Sequence, residues 1–143
     1  MYRALFTLLL LTGCAQWSQP TPCSGEATIT SLTDPVVIGQ QVRAARLQRF
    51  DIEGYCPPCE ECEWLVQKGM YRLAELATPA AAREAVAIAL DPGMEWDGGA
   101  ALLMEDAVSR LGELAVPYLL PHKDSSPIAQ SILSCIEQRI PCY

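Results

Sequence analysis

Cys56, Cys59 and Cys62 crowd into YCPPCEECEW, residues 55–64, with two prolines in the first gap and two glutamates in the second. Thiols at this spacing suit three kinds of chemistry. A C-x-x-C pair exchanges electrons with other thiols, and Cys56 and Cys59 precede an expected helix whose N-terminus favours the thiolate. A four-ligand set holds zinc, and Cys135, Cys142 or His122 would supply the fourth ligand beside these three. The third use is a disulfide staple. Compartment decides among them, because disulfides persist in oxidising surroundings and are rare in the cytosol.

The other end of the chain speaks to compartment. In MYRALFTLLLLTGC, residues 1–14, Arg3 precedes an apolar run from Ala4 to Leu11, and small residues lead into Cys14. This is the layout of a secretory signal, and the run is shorter than the roughly 20 apolar residues that cross a bilayer as helix. An ordinary secreted protein is the competing reading, but no convincing A-x-A-like cleavage site supports it. Leu11-Thr12-Gly13-Cys14 resembles the lipobox of bacterial lipoproteins. That resemblance implies removal of residues 1–13, diacylglycerol on the Cys14 thiol and an acylated Cys14 amine. Each buried CH₂ gains about 0.8 kcal/mol, so two or three acyl chains hold far more firmly than one. Ala15, rather than Asp, follows Cys14. By resemblance to enterobacterial sorting, this implies the outer membrane, facing the periplasm.

Export places Cys23, Cys56, Cys59, Cys62, Cys135 and Cys142 where structural disulfides are their expected use. Six thiols allow fifteen complete pairings. Three clustered cysteines cannot pair off among themselves, so full oxidation sends at least one of them to Cys23, Cys135 or Cys142. A bridge closing tens of residues contributes about 3–4 kcal/mol in the chain-entropy model. The redox alternative shares its C-x-x-C spacing with thioredoxin-like oxidoreductases but lacks their βαβ pattern. An iron–sulfur run would need a further cysteine after Cys62, where the chain reads EWLV. No metal and no cofactor are expected, with structural zinc kept as an alternative.

Without residues 1–13 the chain has 130 residues, enough for one domain with a core. Without Arg3, nine basic residues face 17 acidic ones, a net charge of −8 with the amine acylated. Such a surface repels phosphate backbones, so nucleic acid is excluded as a partner. Residues 14–25 form the lipidated cysteine and a tether broken by Pro20 and Pro22. Residues 26–143 are read as a single helical domain with a Cys-rich loop at 55–63. The basic cluster Arg43, Arg46 and Arg49, and the acidic stretches Asp51–Glu63 and Asp91–Asp106, are read as solvated helix faces.

The middle of the chain repeats itself. LVQKGMYRLAELATP (65–79) and LMEDAVSRLGELAVP (103–117) agree at seven of fifteen positions at an offset of 38 residues. Val66, Met70, Leu73, Leu76 and Ala77 correspond to Met104, Val108, Leu111, Leu114 and Ala115, spaced as one face of an α-helix. Fixed self-similarity of this length marks stacked supersecondary units. Thr78-Pro79 and Ser126-Pro127 predict helix starts, Asp91-Pro92-Gly93 a stop, and Ile128, Ile132, Ile136 and Ile140 one apolar face. Thr33-Asp34-Pro35 offers another start. The following Val36-Val37-Ile38 and the partial alternation beyond it would also suit a strand pair, and Gly39 is a poor helix residue, which leaves a small β element near 26–55 as an alternative. RLGELAVPYLLPHKDSSPIAQSILSCIEQ (110–138) resembles a HEAT repeat. The resemblance implies helix pairs stacked into a binding scaffold over residues 64–140, although Gln130 replaces the usual Arg and Pro121 shortens a helix. The expected class is all-α, as HEAT-like hairpins or an irregular bundle, stapled by disulfides.

Other residues carry weaker signals. His122 is the only histidine and lacks a nucleophile elbow around it. Asp91, Glu95 and Asp97 are spaced faintly like a calcium loop, but Leu102 occupies the twelfth position. Trp96 is expected to pack over a helix end, and Trp64 and Tyr71 to lie in core or rim. With no complete catalytic set, the expectation is a non-enzymatic periplasmic lipoprotein that presents a helical surface to a protein partner or envelope material. A thiol–disulfide oxidoreductase using Cys56 and Cys59 is the enzymatic rival.

Overall fold

Thr78, Ser126 and Asp34 each open a helix that continues with proline, as their order in the chain predicts. In the computed structural model, which describes residues 26–48 and 60–142, Thr78 Oγ1 accepts the Ala81 N–H at 3.1 Å. Ser126 Oγ accepts that of Ala129 at 3.2 Å, and Asp34 Oδ1 that of Val36 at 2.9 Å. Each such cap stabilises its helix by about 1 kcal/mol. The helices are α1 (Glu26–Ile29), α2 (Pro35–Gln48), α3 (Glu60–Leu76), α4 (Pro79–Ala89), α5 (Gly98–Ser109), α6 (Val116–Leu119) and α7 (Pro127–Gln138). Single 3-10 turns lie at Pro92–Met94, Gly112–Leu114 and Leu120–His122. The fold is all-α, with no strand among the described residues.

Contacts run from α1 to α3 to α5 to α7 along one layer, and from α2 to α4 to α6 along the other. The chain therefore stacks helical pairs, and the repeat registers with them. Helices α3 and α5 start 38 residues apart, at Glu60 and Gly98, while Pro79 and Pro117 fall in α4 and α6. The second copy is the shorter. Gly112 replaces Ala74 and takes φ +56°, so α5 stops at Ser109 where α3 continues to Leu76. Pro121 has no N–H to extend α6, which passes straight into a 3-10 turn.

The β alternative fails across the described part of residues 26–55. Ile38, Val42 and Ala45 recur at helical spacing and are all buried, so packing outweighs the β-branched propensity of Val36-Val37-Ile38. Close approach of α3 to α1 and α2 depends on Gly69. A Cβ there would collide with the Val42 side chain and lie 2.9 Å from Ile29 Cδ1. On α4 the buried residues Ala81, Ala82, Ala85 and Ala89 keep that helix thin beside its neighbours. Met70, Leu73, Ile88, Met104, Val108 and Ile132 continue the core through both layers.

Two expectations about charge are corrected. Arg46 and Asp106 do not belong to solvated faces; both are buried, because each is drawn inward by polar partners on a neighbouring segment. Arg43 of α2 pairs within its layer with Glu84 of α4.

Three corrections concern the termini of helices and the sulfurs. Cys62 lies in the first turn of α3 rather than in a loop spanning 55–63; it is buried and disulfide-bonded, its partner lying outside the described residues. Cys135 and Cys142, candidates for the cluster's distant partner, are bonded to each other, with Cα atoms 5.6 Å apart. Neither is then a zinc ligand. Arg139, at φ 54°, ends α7 and turns the chain back toward that bond, so Ile140 leaves the apolar face and is half exposed. Cys14, Cys23, Cys56 and Cys59 lie outside the described residues. Because the sequence separation closed by the bond is only 7, Cys135→Ser is expected to lower stability by about 2 kcal/mol. A shift of the urea midpoint, with faster amide exchange at residues 139–142, checks this.

Candidate interaction groove

The N-terminal halves of α3 and α5 in the first layer, with the end of the loop before α5, line a groove of about 730 Å³. Val66 and Met70 from α3 and Met104 from α5 line its buried floor. Trp64 on one wall is 53% exposed and Leu103 on the other 39%. Glu63, Asp97, Gly98 and Gly99 surround the opening. The volume lies in the range of small-molecule and side-chain pockets, roughly 300–1,000 Å³. Methionine side chains are flexible and polarizable, so the floor can adapt to differently shaped apolar groups.

One end of the groove is built on a buried cation. Arg46 reaches from α2 to the loop between α4 and α5 and is only 2% exposed. Its Nε donates to Met94 O at 2.8 Å and its Nη2 to Glu95 O at 2.5 Å, with Asp97 Oδ1 at 3.4 Å. The guanidinium lies 5.1 Å from the centroid of the Trp96 ring. Trp96 Nε1 is buried without a hydrogen-bond partner, so packing and the cation hold the ring. Glu95 sits in the left-handed region at φ 43°, a conformation its neighbours must enforce. Asp97 turns to Arg46 instead of capping α5.

A second polar cluster fixes α5 against α3. Tyr71 Oη donates to Asp106 Oδ2 at 2.7 Å, and Arg110 Nε donates to the same oxygen at 2.9 Å. The Arg110 guanidinium also lies over the Tyr71 ring, 4.9 Å from its centroid. Its repeat equivalent, Arg72, donates from Nε to Leu32 O at 2.8 Å, in the turn before α2. Both arginines thus tie their helix to the preceding pair. Ser131 of α7 donates to Glu105 of α5 at 2.5 Å, extending the ties along the layer.

The residues singled out in sequence divide unevenly over this arrangement. Trp64 and Trp96 meet at the groove, Trp96 by packing as expected and Trp64 on the rim. Tyr71 sits beneath Arg110 in the clamp. His122 is exposed in a 3-10 turn, away from the groove. Asp91 accepts the Gly93 N–H at 2.9 Å, and Asp97 faces Arg46, so the calcium-like loop uses these carboxylates to hold its own shape. Among the described residues, no three His, Cys, Asp or Glu side chains are placed to hold a metal. The sequence marks Met104 only as part of the repeated apolar face, and nothing in it marks Leu103 or the Gly98-Gly99 pair as groove residues. Leu103 is identical to its repeat partner Leu65, yet Leu65 is buried, and only packing distinguishes them.

Over the described residues these features define an all-α stack of helical pairs with an open apolar groove. No family model matches the chain, and neither a curated protein nor a solved structure is similar to it. No helix among the described residues is long and apolar enough to cross a membrane.

Proposed function

We infer that this chain is a lipid-anchored, non-catalytic interaction module of the bacterial envelope, carrying diacylglycerol on Cys14 and presenting its helical body to a protein partner in the periplasm. The observation that carries the reading is the groove between α3 and α5, with Trp64 and Leu103 exposed on its walls. Large aromatic and aliphatic side chains around a firm pocket are the usual energetic centres of protein interfaces. The adjoining charged group, Arg46, is occupied in holding the loop and is not poised toward a reacting molecule. Stacked pairs with a 38-residue register also agree with the HEAT-like resemblance, whose members usually serve as binding scaffolds.

Anchoring is tested by labelled palmitate fed to bacteria that express the full chain. The wild type is expected to take up label and Cys14→Ala to lose it. An unlabelled wild type, or label retained by the variant, would overturn the lipid anchor.

A further inference from the structure

Cys62 carries a disulfide whose partner lies outside the described residues, and its surroundings narrow the choice of that partner. The side chain is buried in the first turn of α3, seven residues before Gly69. Seven residues make about two helical turns, so Cys62 and Gly69 share one stripe of α3. Helix α1 packs on this stripe: a Cβ on Gly69 would lie 2.9 Å from Ile29 Cδ1. Three residues further along each segment, Arg72 Nε donates to Leu32 O at 2.8 Å. Residues 29–32 and 69–72 therefore run side by side in the same direction. The chain upstream of Ile29 leads toward the end of α3 that carries Cys62.

Lengths agree with this approach. Gly69 stands about 10 Å beyond Cys62 along the helix axis. From Ile29 back to Glu26, α1 covers about 4.5 Å, and three more residues to Cys23 span at most roughly 11 Å. Cys23 thus reaches the level of Cys62, where a disulfide needs Cα atoms roughly 4.4–6.8 Å apart. Cys14 stands nine residues further back and is the acylated residue of the proposed anchor. We propose that Cys23 is the partner of Cys62, so that the tether is fastened to the first turn of α3, beside the groove. The two thiols form the bond by exchange with a disulfide oxidant, which takes their two electrons and two protons and becomes two thiols. Cys56 and Cys59 are then left to each other across Pro57-Pro58.

One consequence rests on the lipid-anchor reading, although the bond itself does not. Nine residue steps, at most roughly 30 Å, would separate the acylated Cys14 from the fastening point. Glu63 and Trp64 of the groove directly follow Cys62, so the groove would meet its partner polypeptide close to the bilayer.

The test is made on the full chain carrying Cys14→Ala, folded in detergent micelles with reduced and oxidised glutathione. In that buffer the bond forms without export or acylation, so its failure is distinct from that of the palmitate test. Remaining thiols are blocked, and the protein is digested without reduction by trypsin and a glutamyl endopeptidase. Cleavage at Glu60 and Glu61 separates Cys62 from Cys59. The fragment ending at Glu26 is expected to be joined to the one holding Cys62, with Cys56 and Cys59 bonded inside the fragment 54–60. Cys62→Ser should leave a blocked thiol at Cys23. Cys59→Ser should leave it at Cys56, with the bond from Cys23 to Cys62 intact. Cys62 joined to Cys56 or Cys59, or a blocked Cys23 in the chain that retains Cys62, would overturn the proposal.

Discussion

Replacing Arg46 with alanine is expected to lower stability by about 3 kcal/mol and to loosen the groove at the same time. The side chain is 2% exposed, and its two donors hold the carbonyls of Met94 and Glu95. Truncation leaves buried acceptors unsatisfied, at about 1–3 kcal/mol for the group. It also removes the cation over Trp96, an interaction of about 1–2 kcal/mol where water is excluded. Glu95 then loses a bond that helps keep it at positive φ. Arg46→Lys should recover only part of the loss, because a single ammonium cannot reproduce the planar fork that reaches both carbonyls. Urea titration supplies the stability, and the near-ultraviolet dichroism of Trp96 reports the loop. Wild-type stability in Arg46→Ala would show that the buried cation does not organise this end of the groove.

The second large effect belongs to Leu73, which is fully buried on α3, the helix in contact with α1, α2, α4 and α5. Leu73→Ala is expected to cost about 4 kcal/mol through lost burial and the cavity left behind. A domain of this size is typically stable by about 5–15 kcal/mol, so the variant should melt far earlier. The repeat supplies an internal control. Leu111 is the equivalent residue, but it lies past the end of α5, beside a 3-10 turn, where the chain can relax around a void. Leu111→Ala should cost about half as much. Equal losses at the two positions would contradict the asymmetry between the copies.

Local chemistry was readable in the sequence; distant pairing was not. Thr78-Pro79 and Ser126-Pro127 announce helix starts because cap and helix are neighbours in the chain. The 38-residue offset predicts two helices in the same register because each copy repeats one apolar face, and α3 and α5 do start that far apart. Arg46 looked like a solvated cation because its acceptors are main-chain oxygens 48 and 49 residues away, and a carbonyl leaves no mark in the sequence. Asp106 was obscured for a similar reason, its partner Tyr71 being 35 residues distant. A usable signal did exist: Arg72 and Arg110 are identical across the repeat, and both turn out to tie one pair to the one before. The groove left fainter marks. Trp64 and Leu102 occupy equivalent positions, and both are exposed large apolar residues. Of the two only Trp64 lines the groove, and its meeting there with the loop at Trp96 arises only from stacking.

Sulfur pairing shows the same division. Residues near in sequence, Cys135 and Cys142, joined each other because Arg139 reverses the chain within one turn, which spacing alone does not reveal. With those two joined, and with Cys14 lipidated as proposed, full oxidation of the other four would require Cys23 to pair with one of Cys56, Cys59 and Cys62. The tether would then be closed onto the helical body, a long loop worth more in chain entropy than the short one.

The proposed export into an oxidising compartment would underlie both the proposed anchor and the sulfur staples, and non-reducing peptide mapping tests it most directly. The full chain is recovered from expressing bacteria with thiols blocked at lysis. The expected map joins the Cys135 peptide to that of Cys142, finds Cys62 in a disulfide, and finds Cys23 linked to the 56–62 cluster. Blocking reagent on Cys62, Cys135 and Cys142 alike would contradict export and, with it, the disulfide-stapled envelope module.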